Sequence, residues 1–245
     1  MTEQQQIIML KMPNSVELLR QMLINKRCLR SEAEVAMFSA PNSAELVKTY
    51  ISRYPLCEKA KDLMFKHKDS SALLKVYLEN RSGYIRITSN DLMRMMSHPD
   101  AKNLAWDIMR HIGGNQLPMD VVYKMCALDI NLIDTYLREA SWYQLNLFIE
   151  RIEPCYVNAE RAMVLALAPN RDVQLNLLLN EKQQKAILRL KNAEELIRIY
   201  VHSERDTDYN EYYRSFRLCD EFIEKMATMS DGAELMKICI KYDLM

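Results

Sequence analysis

A chain of 245 residues with 33 Lys+Arg and 33 Asp+Glu carries no net charge, which removes the overall basic signature of a nucleic-acid binder. Four glycines and seven prolines are too few for the turns of a β-sandwich or barrel, and the one glycine pair, Gly113-Gly114, belongs to no GxGxxG or GxxxxGK phosphate loop. Hydrophobic residues at 49% and charged residues at 27% describe a folding chain rather than a disordered one, with methionine (17) in excess and Trp (2) and Phe (5) sparse.

Residues 1–12 read as an N-terminal cap or tail. Ile7 to Leu10 has no basic segment ahead of it, so no secretory leader is expected. The longest apolar run, Ala162 to Ala168, falls far short of the ~20 residues of a membrane span. Both features predict a cytoplasmic protein.

Three related helices follow. Pro13-Asn14-Ser15-Val16-Glu17-Leu18-Leu19 returns 28 residues later as Pro41-Asn42-Ser43-Ala44-Glu45-Leu46-Val47, and Asp69-Ser70-Ser71-Ala72-Leu73-Leu74 comes 27 after that. Apolar pairs recur four residues on, as in Leu46-Val47 with Tyr50-Ile51 and Leu73-Leu74 with Tyr77-Leu78. Such pairs make one stripe on a 3.6-residue helix. Asn or Asp ahead of each helix is an N-cap residue, and Glu three positions on predicts a capping box at Asn14/Glu17 and Asn42/Glu45. Between these helices, Arg27-Cys28-Leu29-Arg30-Ser31 and Tyr54-Pro55-Leu56-Cys57-Glu58 read as turns into a second helix. Lys59, Lys61, Lys66, His67 and Lys68 form a charged face there.

The pattern then loosens. Ser82 to Thr88 reads as a loop. Leu104-Ala105 with Ile108-Met109 is a degenerate stripe, Gly113-Gly114 marks a loop, and Leu132-Ile133 with Tyr136-Leu137 is a sixth, poorly capped copy. Trp106 and Trp142-Tyr143 are expected to pack in the core. Arg151 to Cys155 repeats the turn signature, and Pro169 to Val173 starts a further helix. Asn192 to Val201 returns to the full pattern, with boxes expected at Asn192/Glu195 and Asp231/Glu234. Ser203 to Asn210 is a polar insertion. Phe216-Arg217-Leu218-Cys219 is again the turn, and Asp231 to Ile240 the last copy. Tyr242-Asp243-Leu244 resembles Tyr54-Pro55-Leu56, so a second helix is due where the sequence stops. That end is therefore expected to pack on a partner, a second copy being one candidate.

The unit is two short antiparallel helices in about 28 residues. One such hairpin cannot bury its stripe alone, so neighbours must stack. The pattern resembles the bacterial α-solenoid proteins built from short HEAT-like or armadillo-like helical pairs, over residues 13 to 245. That resemblance implies an all-α, right-handed superhelix of about seven to eight pairs in a single domain spanning 1–245.

Few residues suggest chemistry. His67, His98, His111 and His202 are too dispersed for a local ligand set or triad, and no GxSxG, HExxH or SxxK occurs. Asp107 and His111 read as a surface pair, and Glu32/Glu34 and Glu194-Glu195 as acids in helix first turns that complement the dipole. The six cysteines, without CxxC spacing, read as buried reduced thiols. No metal, cofactor or catalytic residue is predicted.

The recurrent feature is basic. Two residues after each anchor leucine stand Arg20, Lys48, Lys75, Arg198 and Lys237, with Asp134 the exception. In stacked repeats these form a ladder able to hold an acidic partner. Alternatively, Glu17–Arg20, Glu45–Lys48, Glu195–Arg198 and Glu234–Lys237 neutralise them as i,i+3 pairs within their own helices. Charge is also uneven: residues 1–122 hold 17 basic and 13 acidic side chains, net +4, and the remainder 16 and 20, net −4. The expected function is a non-catalytic scaffold binding protein partners along the concave face, with partner residues Arg20, Lys48, Lys75, Arg198 and Lys237. The alternative is a HEAT-like DNA glycosylase or another nucleic-acid-binding solenoid, which the balanced charge disfavours.

Overall fold

The computed structural model describes residues 1–80, 87–167, 179–202, 217–241 and 244–245, without the side chains of Asn115 and Trp142. Sixteen α-helices and one short 3-10 turn occur among the described residues, and no strand does. The chain divides into two compact units, Met1–Ile112 and Gly113–Met245. Gly113 opens the second with φ +76, a conformation few other residues adopt without strain.

The first unit contains α1 (Glu3–Leu10), α2 (Ser15–Ile24), α3 (Ser31–Met37), α4 (Ser43–Ile51), α5 (Glu58–Lys66), α6 (Ser70–Glu79), α7 (Ser89–Met95) and α8 (Ala101–Ile112). Each odd helix packs on the even helix that follows it. The even helices also pack in sequence, α2 on α4, α4 on α6 and α6 on α8, while α1 packs on α3 and α3 on α5. In the second unit, Gly114–Gln116 forms the 3-10 turn. It is followed by α9 (Met119–Leu128), α10 (Ile130–Glu139), α11 (Trp142–Arg151), α12 (Ala159–Leu167), α13 (Glu181–Leu188), α14 (Ala193–His202), α15 (Asp220–Ala227) and α16 (Gly232–Lys241). The same order holds there, with α10 on α12, α12 on α14 and α14 on α16, and with α11 on α13 and α13 on α15.

The even helices carry the predicted stripe. Leu46, Leu73, Leu104, Leu132, Leu196 and Leu235 are all 0% exposed, and Ala162 holds this anchor position in α12. The residue five past each anchor except the last, from Leu23 and Ile51 through Leu167 and Val201, is at most 7% exposed.

The predicted capping boxes do not form. Asn14, Asn42 and Asp69 are N-cap residues, but at ψ 23, 36 and 23 they lie outside the extended region from which a side chain reaches back to the helix, and none makes a cap bond. Asn192 donates instead to Glu195 Oε2 at 3.1 Å, and the Asp231 carboxylate receives Arg198. A backbone turn replaces the cap. The first helical N–H donates to the carbonyl three residues back at Ser15, Ser43, Ser70, Ala101, Ala159, Ala193 and Gly232, at 2.9–3.2 Å. This tight entry explains why Ser, Ala or Gly stands three residues before each of these anchors. At Gly232 an added Cβ would lie 2.3 Å from the Met226 carbonyl oxygen. Side-chain capping boxes occur on odd helices instead, at Thr2/Gln5, Thr88/Asp91 and Asn180/Gln183.

Scarce glycine leaves left-handed positions to other residues. After α2, Lys26 adopts φ 55, the Lys26 N–H bonds the Leu23 carbonyl and the Arg27 N–H bonds that of Met22. This is the Schellman geometry in which glycine is usual. Asn158, at φ 62, enters α12 and donates from Nδ2 to the Cys126 carbonyl at 2.9 Å.

Three expectations about burial change. Cys126 and Cys239 are buried, but Cys57 and Cys219 are half-buried N-cap residues, and Cys28 and Cys155 are exposed. Tyr143 is 67% exposed and Trp106 half-buried, so these aromatics are not all core. Lys61 is 5% exposed rather than part of a solvated face. Leu244 is buried, and its carbonyl accepts the Leu218 N–H at 2.7 Å, so this end folds back on its own last pair. The predicted loop at 82–88 lies outside the described residues except for Ile87 and Thr88, and 169–173 and 203–210 lie wholly outside them.

Candidate interaction surface

The five ladder residues occupy one register position on even helices, and the structure pairs them across helices more than within them. Arg20 reaches Glu45 of the next even helix at 3.1 Å and its own Glu17 only at 3.9 Å. Lys75 meets Asp107 of α8 at 3.7 Å. Arg198 makes two hydrogen bonds to Asp231, at 2.7 and 3.0 Å, and these hold the Asp231 carboxyl below the ordinary carboxylate range. Lys48 and Lys237 make no ion pair among the described residues, and Ala72 stands where Lys48 would find its acid. Of the four pairs expected within one helix, only Glu17–Arg20 has its charged atoms within 4 Å. Asp134 pairs with Arg138 at 2.9 Å.

A second repeated arrangement, which no sequence motif marks, lies twelve residues before four of the anchors. Gln6, Glu34, Lys61 and Gln184 stand there on odd helices, and all four are at most 6% exposed. Each addresses the start of the next odd helix. Gln6 Oε1 accepts the Arg30 N–H at 2.9 Å, while its Nε2 donates to the Cys28 carbonyl at 3.2 Å. Glu34 Oε2 accepts the Cys57 N–H at 2.6 Å and Oε1 the Tyr50 hydroxyl at 2.9 Å. Gln184 Oε1 accepts the Cys219 N–H at 2.7 Å, and its Nε2 donates to the Arg217 carbonyl at 3.0 Å. Lys61 Nζ stands 3.5 Å from Asp91 Oδ2, the carboxylate that caps α7, and 2.6 Å from Glu58. Burial, reinforced by the Glu34 charge, raises the Tyr50 hydroxyl pKa. Glu34 therefore complements the dipole of α5, not of its own helix as its place near the start of α3 suggested.

The histidines come closer to serines than their spacing implied. His67 Nε2 lies 3.0 Å from Ser43 Oγ and His98 Nε2 2.8 Å from Ser70 Oγ. Each Nδ1 accepts the backbone N–H of the aspartate two residues on, Asp69 or Asp100, at 3.1 Å. That bond puts the ring proton on Nε2, which then donates to the serine. A nucleophilic serine needs the opposite polarity, with the imidazole accepting its proton. The geometry clamps a turn rather than relaying a proton. The same register position before α4 is Ala40, and buried Ser15 Oγ meets no hydrogen-bond partner among the described residues. Asp107 joins Lys75 and Arg110, and no group of three metal-ligating side chains converges among the described residues.

In comparisons with known proteins, no family model matches the sequence, and no curated protein or solved structure is significantly similar to it. No helix among the described residues is long and apolar enough to cross a membrane.

Proposed function

We propose that the helical pairs stack as short HEAT-like or armadillo-like repeats of an α-solenoid, and that the protein is a non-catalytic scaffold binding a protein partner along its even helices. The observation that carries this reading is the order of packing: within each unit, even helices meet consecutive even helices, and the odd helices α1, α3 and α5, and α11, α13 and α15, meet in the same order. Sequential stacking lays equivalent side chains out at regular intervals, which suits an extended polypeptide better than a compact substrate. The partner surface would be the Arg20, Lys48, Lys75, Arg198 and Lys237 positions. Lys48 and Lys237 retain unpaired charge for an acidic segment, while Arg20 and Arg198 hold adjacent repeats together.

Affinity capture with the full chain, repeated with Lys48→Glu, tests this reading. Recovery of one protein partner by the parent chain and its loss from Lys48→Glu are expected. Binding to duplex DNA that weakens steeply between low and moderate salt, without a protein partner, would overturn the reading in favour of a nucleic-acid-binding solenoid.

A further inference from the structure

Among the even helices the residue five past the anchor is buried in all but α16, and the anchor itself in all but α2. Seven residues five past an anchor are at most 7% exposed, whereas the eighth, Ile240, is 66% exposed. Met236, one past the last anchor, is half-buried, although Leu19, Val47 and Ile197 at that position are 0% exposed. At the first even helix the anchor itself is the exception: Leu18 is half-buried where every later one is fully buried. Ile8 and Met12 are 51% and 43% exposed beside it in sequence. The exposed positions of α2 and α16 are apolar, and the same positions are buried in the other even helices.

Charge fits the same match. Arg20 pairs with Glu45 because a basic residue two past one anchor meets an acid one before the next anchor, at 3.1 Å. At the open ends these positions are Lys237, without an ion pair among the described residues, and Glu17, whose side chain is 60% exposed. The first unit holds 17 Lys+Arg against 12 Asp+Glu, net +5, and the second 16 against 21, net −5.

We propose that a second copy of this chain covers these faces. The Met236/Ile240 face of one copy seats on the Leu18 face of the next, as α14 seats on α16, with Lys237 meeting Glu17 of the other copy. This rests on the repeat stacking proposed above. The contact joins two different patches, so it propagates into a ring or a longer chain rather than stopping at a twofold dimer.

Light scattering of the full chain over a wide concentration series is the test. Mass should rise with concentration beyond that of a dimer. Ile240→Glu and Leu18→Glu should each remain monomeric, with circular dichroism confirming that both are folded. An equimolar mixture of the two should give a dimer and nothing larger, because each variant keeps one intact face. Lys237→Glu, exposed and harmless to folding, should weaken association about tenfold, and adding Glu17→Lys should restore it. A parent chain that stays monomeric throughout, or association that survives Ile240→Glu, would overturn the proposal. Either result leaves partner capture, which tests the scaffold reading, unaffected.

Discussion

Glu34 on α3 accepts the backbone N–H of Cys57, the N-cap residue of α5, at 2.6 Å, while its other oxygen holds the Tyr50 hydroxyl of α4. One buried carboxylate thus joins three helices, and its charge is offset by a helix N-terminus instead of a basic side chain. Glu34→Ala leaves both donors buried without an acceptor, and should cost about 2–3 kcal/mol by the worth of hydrogen bonds to a charged group. Glu34→Gln should cost less. Urea midpoints of the three chains check the order.

Ser15 and Ser43 share a register position but should respond in opposite directions. Ser43→Ala breaks the bond to His67 and should destabilise the chain by about 1 kcal/mol. Ser15→Ala removes a buried hydroxyl without a partner among the described residues, and should be neutral or stabilising. Thermal midpoints of the single variants distinguish the two.

Gly232 cannot accept a methyl group where it stands, with the Met226 carbonyl oxygen 2.3 Å from the Cβ position. Gly232→Ala should displace the turn into α16 and cost about 1–3 kcal/mol, as overpacking commonly does. Hydrogen exchange should show the loss concentrated in α15 and α16.

Lys26 is the converse case. Its φ of 55 is strained for a residue with a Cβ, so Lys26→Gly should stabilise the chain by about 1 kcal/mol despite glycine's greater freedom when unfolded. A raised urea midpoint with an unchanged slope would bear this out.

Acid should release the turn before α8. The Ser71 hydroxyl, bonded to Asp100, lowers the Asp100 pKa with help from Asn103. A lowered folded-state pKa gives stability that is present above the unfolded value of about 3.9 and lost as pH falls through the folded one. The stability difference between the parent chain and Asp100→Asn should therefore be constant near neutral pH and shrink below about pH 4. Chemical denaturation at several pH values measures it.

The helices and their buried stripe were legible because a 3.6-residue period is written in residue type, as Leu46-Val47 with Tyr50-Ile51 shows. The caps were not, because Asn14 and Asn42 are good cap residues whose use depends on a backbone angle set by the preceding turn. The ion pairs were legible in composition but not in direction: Arg20 has acids at 17 and 45, and only stacking decides for Glu45. Gln6, Glu34, Lys61 and Gln184 keep a constant distance from their anchors, yet share no chemistry that a similarity search would score. What these four share is a polar atom of suitable reach, supplied by an amide, an acid or an amine, while Leu92 stands at the same distance before Leu104.

The links from Gln6, Glu34 and Gln184 end on peptide groups, at Arg30, Cys57 and Cys219. A peptide N–H is supplied by every amino acid except proline, so the receiving side of each junction is nearly blind to mutation. Neighbouring helical pairs can thus drift apart in sequence without co-ordinated change at their joints. For the same reason, a whole pair could be duplicated or excised in evolution and still find its grip on the next.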